Sequence, residues 1–217
     1  RWLINDPELW TGFVLESAVP PGAAIVPFSY ILKGDSTFAL LGSFGAYLSA
    51  LLLMPLMAST LAGTSLIQPL RLLSVLLQLI VLPLLLSRLV LASPLRAQLN
   101  QWRGAIVNWA FTLLFFTVIG LNRDALLSEP NVLLRAGAIA LVGNFGLSFV
   151  LDRLLRRGGV DRARRVTCIL MGTIKNTSLG AAVALSLFSE RTSIPAAVVS
   201  ATNVLYMVWL GLRWGSE

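Results

Sequence analysis

The chain of 217 residues is 56% hydrophobic and 12% charged with a mean hydropathy of +0.80, far from the roughly half apolar, quarter charged make-up of a soluble domain. It has no histidine and one cysteine, Cys168, which excludes histidine acid–base chemistry, thiolate zinc clusters and internal disulfides. The formal charge of +7 comes from two lysines and otherwise arginines, nearly all lying between apolar runs, so it reads as membrane topology rather than a nucleic-acid surface.

Seven runs have the roughly 20-residue length of a spanning helix: 9–32, 36–57, 66–91, 102–121, 132–151, 166–188 and 194–212. The first reads as a genuine span and not a cleavable signal peptide, because Asp6, Glu8 and Glu16 stand where a basic segment belongs. It is interrupted by Ser17-Ala18-Val19-Pro20-Pro21-Gly22. The sixth is interrupted from Gly172 to Gly180, with Thr173, Lys175, Asn176, Thr177 and Ser178 inside the interruption. Each broken span is followed by an unbroken one, the pattern of a transporter built from inverted repeats with binding at the midplane. The expected architecture is an all-α multipass transmembrane bundle with two broken helices. Residues 1–58 form the tail of a first repeat, and 66–213 form the whole of a second. Three helices of the first repeat would then precede this chain.

Orientation follows from the arginines. The 152–165 loop carries Arg153, Arg156, Arg157, Arg162, Arg164 and Arg165 and is expected to be cytoplasmic. Propagated through seven spans, that choice also places Lys33, Arg88, Arg96, Arg103 and Arg213 inside. Arg1, Arg71, Arg123, Arg135 and Arg191 fall outside. The N-terminus of the chain is therefore expected to be external and the C-terminus cytoplasmic, in a cell-membrane protein.

The broken span with Pro-Gly, the turn Lys33-Gly34-Asp35, the small-residue helix ending at Pro55 and the later Lys-Asn break before Leu179-Gly180-Ala181-Ala182 resemble the bile acid:sodium symporter superfamily. The resemblance covers essentially the whole chain, as the last seven of that family's ten helices. It implies that the two broken helices cross, with sodium ligands and an anionic organic substrate near the crossing. It also marks departures. The family's glutamate position reads Met171, and its glutamine position reads Lys175, while Asn176 is kept. Its Ser-Asn ligand pair aligns with Ile25 and Val26, and one hydroxyl ligand with Ala39, leaving Ser43. A hard cation needs oxygen ligands and is repelled by an ammonium, so sodium coupling of the family type is expected to be absent.

Lys175 lies mid-span, where a lysine costs about 2.5 to 3.5 kcal/mol and needs a cavity or a partner. It is either a fixed charge pinning the crossing, a counter-charge for an anionic substrate, or a proton-exchanging amine. Glu16 is the one carboxylate within a span. It either pairs with Lys175 or sits hydrated in an outer vestibule. Ser17, Asn176, Thr177 and Asn203 are the further candidates for a substrate or coupling site, with Pro20, Pro21, Gly22, Gly172 and Thr173 as the helix breakers. Asn108 and Asn144 read as interhelical hydrogen bonders.

An intramembrane enzyme would need an aspartate pair, a Ser-His dyad or a metal cluster, and the sequence holds none of these, so no catalytic residue, metal or cofactor is expected. The expected function is secondary-active transport of a small organic anion by alternating access, with proton coupling or none, the bilayer being the other partner. The alternative is a ligand-binding membrane receptor on the same fold. Oligomeric state is not encoded.

Overall fold

Asp6 starts the first helix, α1 (Pro7–Ala18), by accepting the N–H groups of Glu8 and Leu9, with Pro7 at a position that needs no donor. Val19, held extended by the proline that follows, ends it. After the gap at 19–24 the span resumes as α2 (Ile25–Ile31). Lys33, in the left-handed region with φ 54°, then turns the chain into α3 (Ser36–Met57), capped by Asp35. The computed structural model describes residues 4–62, 68–121 and 123–214, so Arg1 and the expected span start at Leu66 lie outside the described residues.

The third span is α4 (Pro69–Leu76), a π-helical turn (Leu77–Val81) and α5 (Leu82–Ala92). The fourth is α6 (Arg96–Leu121), followed by the short α7 (Arg123–Ser128) and by α8 (Pro130–Arg157). The second broken span is α9 (Arg162–Thr173) and α10 (Thr177–Leu187), and α11 (Glu190–Trp214) closes the described chain. The molecule is an all-α bundle. Among the described residues four stretches are long and apolar enough to cross a bilayer unbroken: Ser36–Ala62, Pro69–Ala92, Pro130–Arg157 and Glu190–Trp214. Leu40, Leu41, Phe44 and Leu52 on α3, and Trp109 and Phe116 on α6, are exposed, as side chains facing lipid would be.

The first break lies two residues later than the sequence suggests, and the second is narrower. Ser17 and Ala18 remain in α1, and Gly172 and Thr173 remain in α9, so neither of the latter is a helix breaker. Glycine costs a helix only about 1 kcal/mol. Thr173 is bound into the helix as its hydroxyl donates to the Ile169 carbonyl at 2.7 Å. The helix ends instead at Ile174, Lys175 and Asn176. The helix expected at 36–57 has those bounds and continues through a π-helical turn (Ala58–Ala62).

The two broken spans cross antiparallel. Gly22 N–H donates to the Ile174 carbonyl at 3.0 Å, and Asn176 N–H to the Pro20 carbonyl at 2.9 Å, an isolated β-bridge pairing Pro21 with Lys175. One apolar cluster lies on the α1 and α10 side of this crossing, where Leu15, Val19, Met54, Leu72, Leu76 and Val183 pack. Another lies on the α2 and α9 side, with Ile25, Leu32, Ala39, Ile169, Leu170 and Tyr206. The ends are tied too. Beside α2, Asp35 N–H donates to the Thr167 hydroxyl at 2.9 Å, and that hydroxyl lies 2.6 Å from the Ser29 hydroxyl. At the opposite end Arg191 bridges Asp6 and Glu129.

Candidate functional site

A helix interrupted in a membrane leaves backbone groups that water does not reach, and they must be satisfied by protein or left for a ligand. Here the bridge uses the N–H groups of Gly22 and Asn176 and the carbonyls of Pro20 and Ile174. The approach is close at Gly22, where a Cβ would stand 3.2 Å from the Lys175 carbonyl oxygen and push the two segments apart by a few tenths of an ångström. Asn176 then caps α10 by accepting from Leu179 N–H at 3.1 Å, while its amide donates to the Tyr47 hydroxyl. Thr177, the first residue of α10, shares a hydrogen bond with Ser200 of α11.

These residues border a cavity of ≈ 620 Å³, walled by Gly22, Ala23 and Ala24 ahead of α2, by Ile174 to Ser178 ahead of and opening α10, by Ser200, Asn203, Val204 and Met207 of α11, and by Ala110 of α6. The starts of α2 and α10 both meet it, so their helix dipoles add positive potential to the ammonium of Lys175.

Of the candidates read from sequence, the structure therefore gathers Lys175, Asn176, Thr177, Asn203 and Gly22 around one cavity. Asn203 is 5% exposed and accepts from the Asn144 amide at 2.9 Å, which joins α11 to α8. Ser17 is turned to its own helix, its hydroxyl donating to the Val14 carbonyl at 2.8 Å. Glu16 does not border the cavity. It is 3% exposed, so it is not hydrated in a vestibule, and its carboxyl oxygens have no hydrogen-bond partner, so it is not bonded to Lys175 either.

Two participants escaped the sequence reading. Tyr47 and Ser200 are hydroxyls on the unbroken helices after each break, and nothing in their spacing marks them out among the many membrane hydroxyls. The apolar residues at positions that the resemblance associates with sodium lie in or against an apolar cluster. Ile25 and Ala39 are fully buried in the apolar cluster with Val26 and Met171 packed against it, and the Ser43 hydroxyl is buried without a partner. Among the described residues no group of three or more acidic, cysteine or histidine side chains could hold a metal ion.

The family model of the sodium bile acid symporter family matches residues 2–128, which include the first break but not the second. The chain is 26% identical over 228 residues to the probable sodium/metabolite cotransporter BASS1, chloroplastic, of Oryza sativa subsp. japonica, covering 99% of this chain and 53% of that protein. It is also 26% identical over 226 residues to the protein of the same name in Arabidopsis thaliana, covering 95% and 53%. The chain spans about half the length of these curated relatives.

Proposed function

The chain belongs to the sodium bile acid symporter family, and on that premise we propose that it is the anion-binding part of a secondary-active carrier for a small organic anion, working by alternating access without sodium. The observation that carries this reading is Lys175 at the backbone bridge of the two breaks, bordering a cavity of ≈ 620 Å³. An ammonium and two helix N-termini at the edge of a largely apolar chamber favour a ligand with an anionic head and an apolar body. Asn176, Thr177, Ser178 and Asn203 supply neutral donors and acceptors beside the charge.

The antiparallel crossing supports dividing the chain at 58–66 into the tail of one inverted repeat and a second repeat. Rocking of repeats against each other would open the cavity alternately to each side. The arginine-rich 152–165 loop supports a cytoplasmic position for the end that carries Asp35 and Arg164, and hence an external Asp6, in the cell membrane. Absence of sodium coupling is supported by the apolar surroundings of Ile25, Ala39 and Met171. The relatives are named cotransporters, which supports transport over enzymatic activity.

The test is flux in proteoliposomes made from the full-length protein, with taurocholate and lactate as probes. Saturable uptake without a sodium gradient is expected. Lys175→Gln should lower it by about tenfold or more, since a charge-assisted contact of about 1.5–3 kcal/mol is removed. Binding without flux would make the protein a receptor, and neither binding nor flux of either probe would overturn the reading.

A further inference from the structure

Glu16 is a charged group within the bundle that the cavity does not use. It lies near the end of α1, buried and without a hydrogen-bond partner. Its Oε2 rests against Gly180, where an added Cβ would meet the carboxyl and make it shift. The Lys175 ammonium acts on the carboxyl through space without bonding it. Lys175 thus borders the cavity and also acts on Glu16, which does not border it.

Among the described residues of the elements packed on α1, no further titratable group relieves Glu16. The π-helical turn and α10, both packed on α1, carry none. On α3 the titratable group is Tyr47, occupied by Asn176. On α11, Glu190, Arg191 and Arg213 stand at the helix ends, and Tyr206 belongs to the cluster on the other side of the crossing. On α1 itself Glu8 accepts from Ser189 at 2.8 Å.

Resting on the anion reading above, we propose that Glu16 is the proton-binding site of the carrier and that a proton and the substrate anion are bound together. With Glu16 ionised and the cavity empty, ammonium and carboxylate balance. An arriving anion leaves two negative charges against one positive charge in a medium where such an excess is costly. A proton from water adds to a Glu16 carboxyl oxygen, forming an O–H bond and restoring neutrality as carboxylic acid, ammonium and anion. Because binding linkage is reciprocal, the proton raises anion affinity by the factor by which the anion raises proton affinity. Lys175 keeps its charge throughout.

The experiment is infrared pH-difference spectroscopy of the full-length protein in lipid nanodiscs, with taurocholate as probe. A carboxyl C=O band that titrates should be kept in Glu8→Gln and lost in Glu16→Gln. If that variant does not assemble, Glu16→Asp keeps an acid and shifts the same band. Taurocholate added where the band is half developed should enlarge it and draw about one proton per bound anion from a weakly buffered medium, and Lys175→Gln should abolish that response. A band indifferent to Glu16, or taurocholate binding that leaves the band unchanged, overturns the proposal. A Glu16-dependent band with no taurocholate binding overturns the anion reading and the coupling with it, leaving Glu16 as a proton site alone.

Discussion

In the first broken span, Pro20 and Pro21 withhold two successive N–H groups and Gly22 follows them, so a helix cannot pass whatever surrounds it. In the second, Ile174-Lys175-Asn176 contains nothing that a helix rejects outright. There the interruption rests on partners: the bridge to Pro20 and Gly22, the cap that Asn176 places on Leu179, and the amide bond from Asn176 to Tyr47. One break is written in covalent geometry and the other in tertiary contacts. The proline break therefore acts as the template on which the second forms, and the residue that carries charge, Lys175, sits in the break that depends on the other.

The contrast predicts unequal responses to truncation. Asn176→Ala removes a cap and a side-chain hydrogen bond, each of about 1 kcal/mol, so a loss of about 2 kcal/mol is expected in denaturant or thermal unfolding. Pro20→Ala leaves Pro21 and Gly22 in place and keeps the carbonyl that accepts from Asn176, and should cost under about 1 kcal/mol. Equal losses would show that both breaks are held in the same way.

The same distinction explains what could be read from the chain before its structure. The all-α make-up and the place of the first break to within two residues follow from hydropathy, proline and aspartate caps, all local signals. The helix at 36–57 appears with those bounds, since Asp35 caps it and its apolar run is continuous. The second break was legible only to within a few residues, because Gly172 and Thr173 have weak intrinsic preferences that packing overrides, while the deciding cap lies at Asn176. The π-helical turns at Ala58–Ala62 and Leu77–Val81 leave no compositional trace. Lys175 announced itself by its cost in a membrane, whereas Tyr47 and Ser200 became visible only when the helices were brought together.

A smaller effect concerns the clasp that ties the starts of α1, α8 and α11. Arg191 donates to Asp6 at 2.6 Å and to both oxygens of Glu129 at 2.6 and 2.8 Å. Burial opposes ionisation of Asp6, but Arg191 and the N–H groups of Leu9 and Glu8 outweigh it and hold the carboxyl below its ordinary range. The hydrogen bonds from Arg191 hold Glu129 low as well. Lowered folded-state values mean that this contribution is complete at neutral pH and fades as pH falls through them. The clasp is part exposed and screened by salt, so Arg191→Gln should lower the melting temperature by less than Asn176→Ala does. The two melting curves, wild type and Arg191→Gln, should converge in acid. A difference that persists unchanged at low pH would rule out the clasp as its source.

The smallest expected effect is none. In the family that this chain resembles, sodium would draw ligands from both broken spans and hold the crossing. Here the first span offers Ile25 and Val26 at those positions, α3 offers Ala39, and the second break offers an ammonium, so the carrier proposed above is expected not to bind the ion there. The backbone bridge and Lys175 stand where that ion would act. A ligand bound only by the folded protein at 100 times its dissociation constant adds about 2.7 kcal/mol, which a melting assay resolves as a shift of several degrees. Titrating sodium against potassium at constant ionic strength should therefore leave the melting temperature unchanged, and a saturable rise specific to sodium would show that the crossing still holds the ion. Lys175→Gln sharpens the result. If the ammonium alone excluded sodium, the variant would become sodium-responsive. The apolar contacts of Ile25, Ala39 and Met171 predict that it will not, because removing a repulsive charge does not supply the missing oxygens.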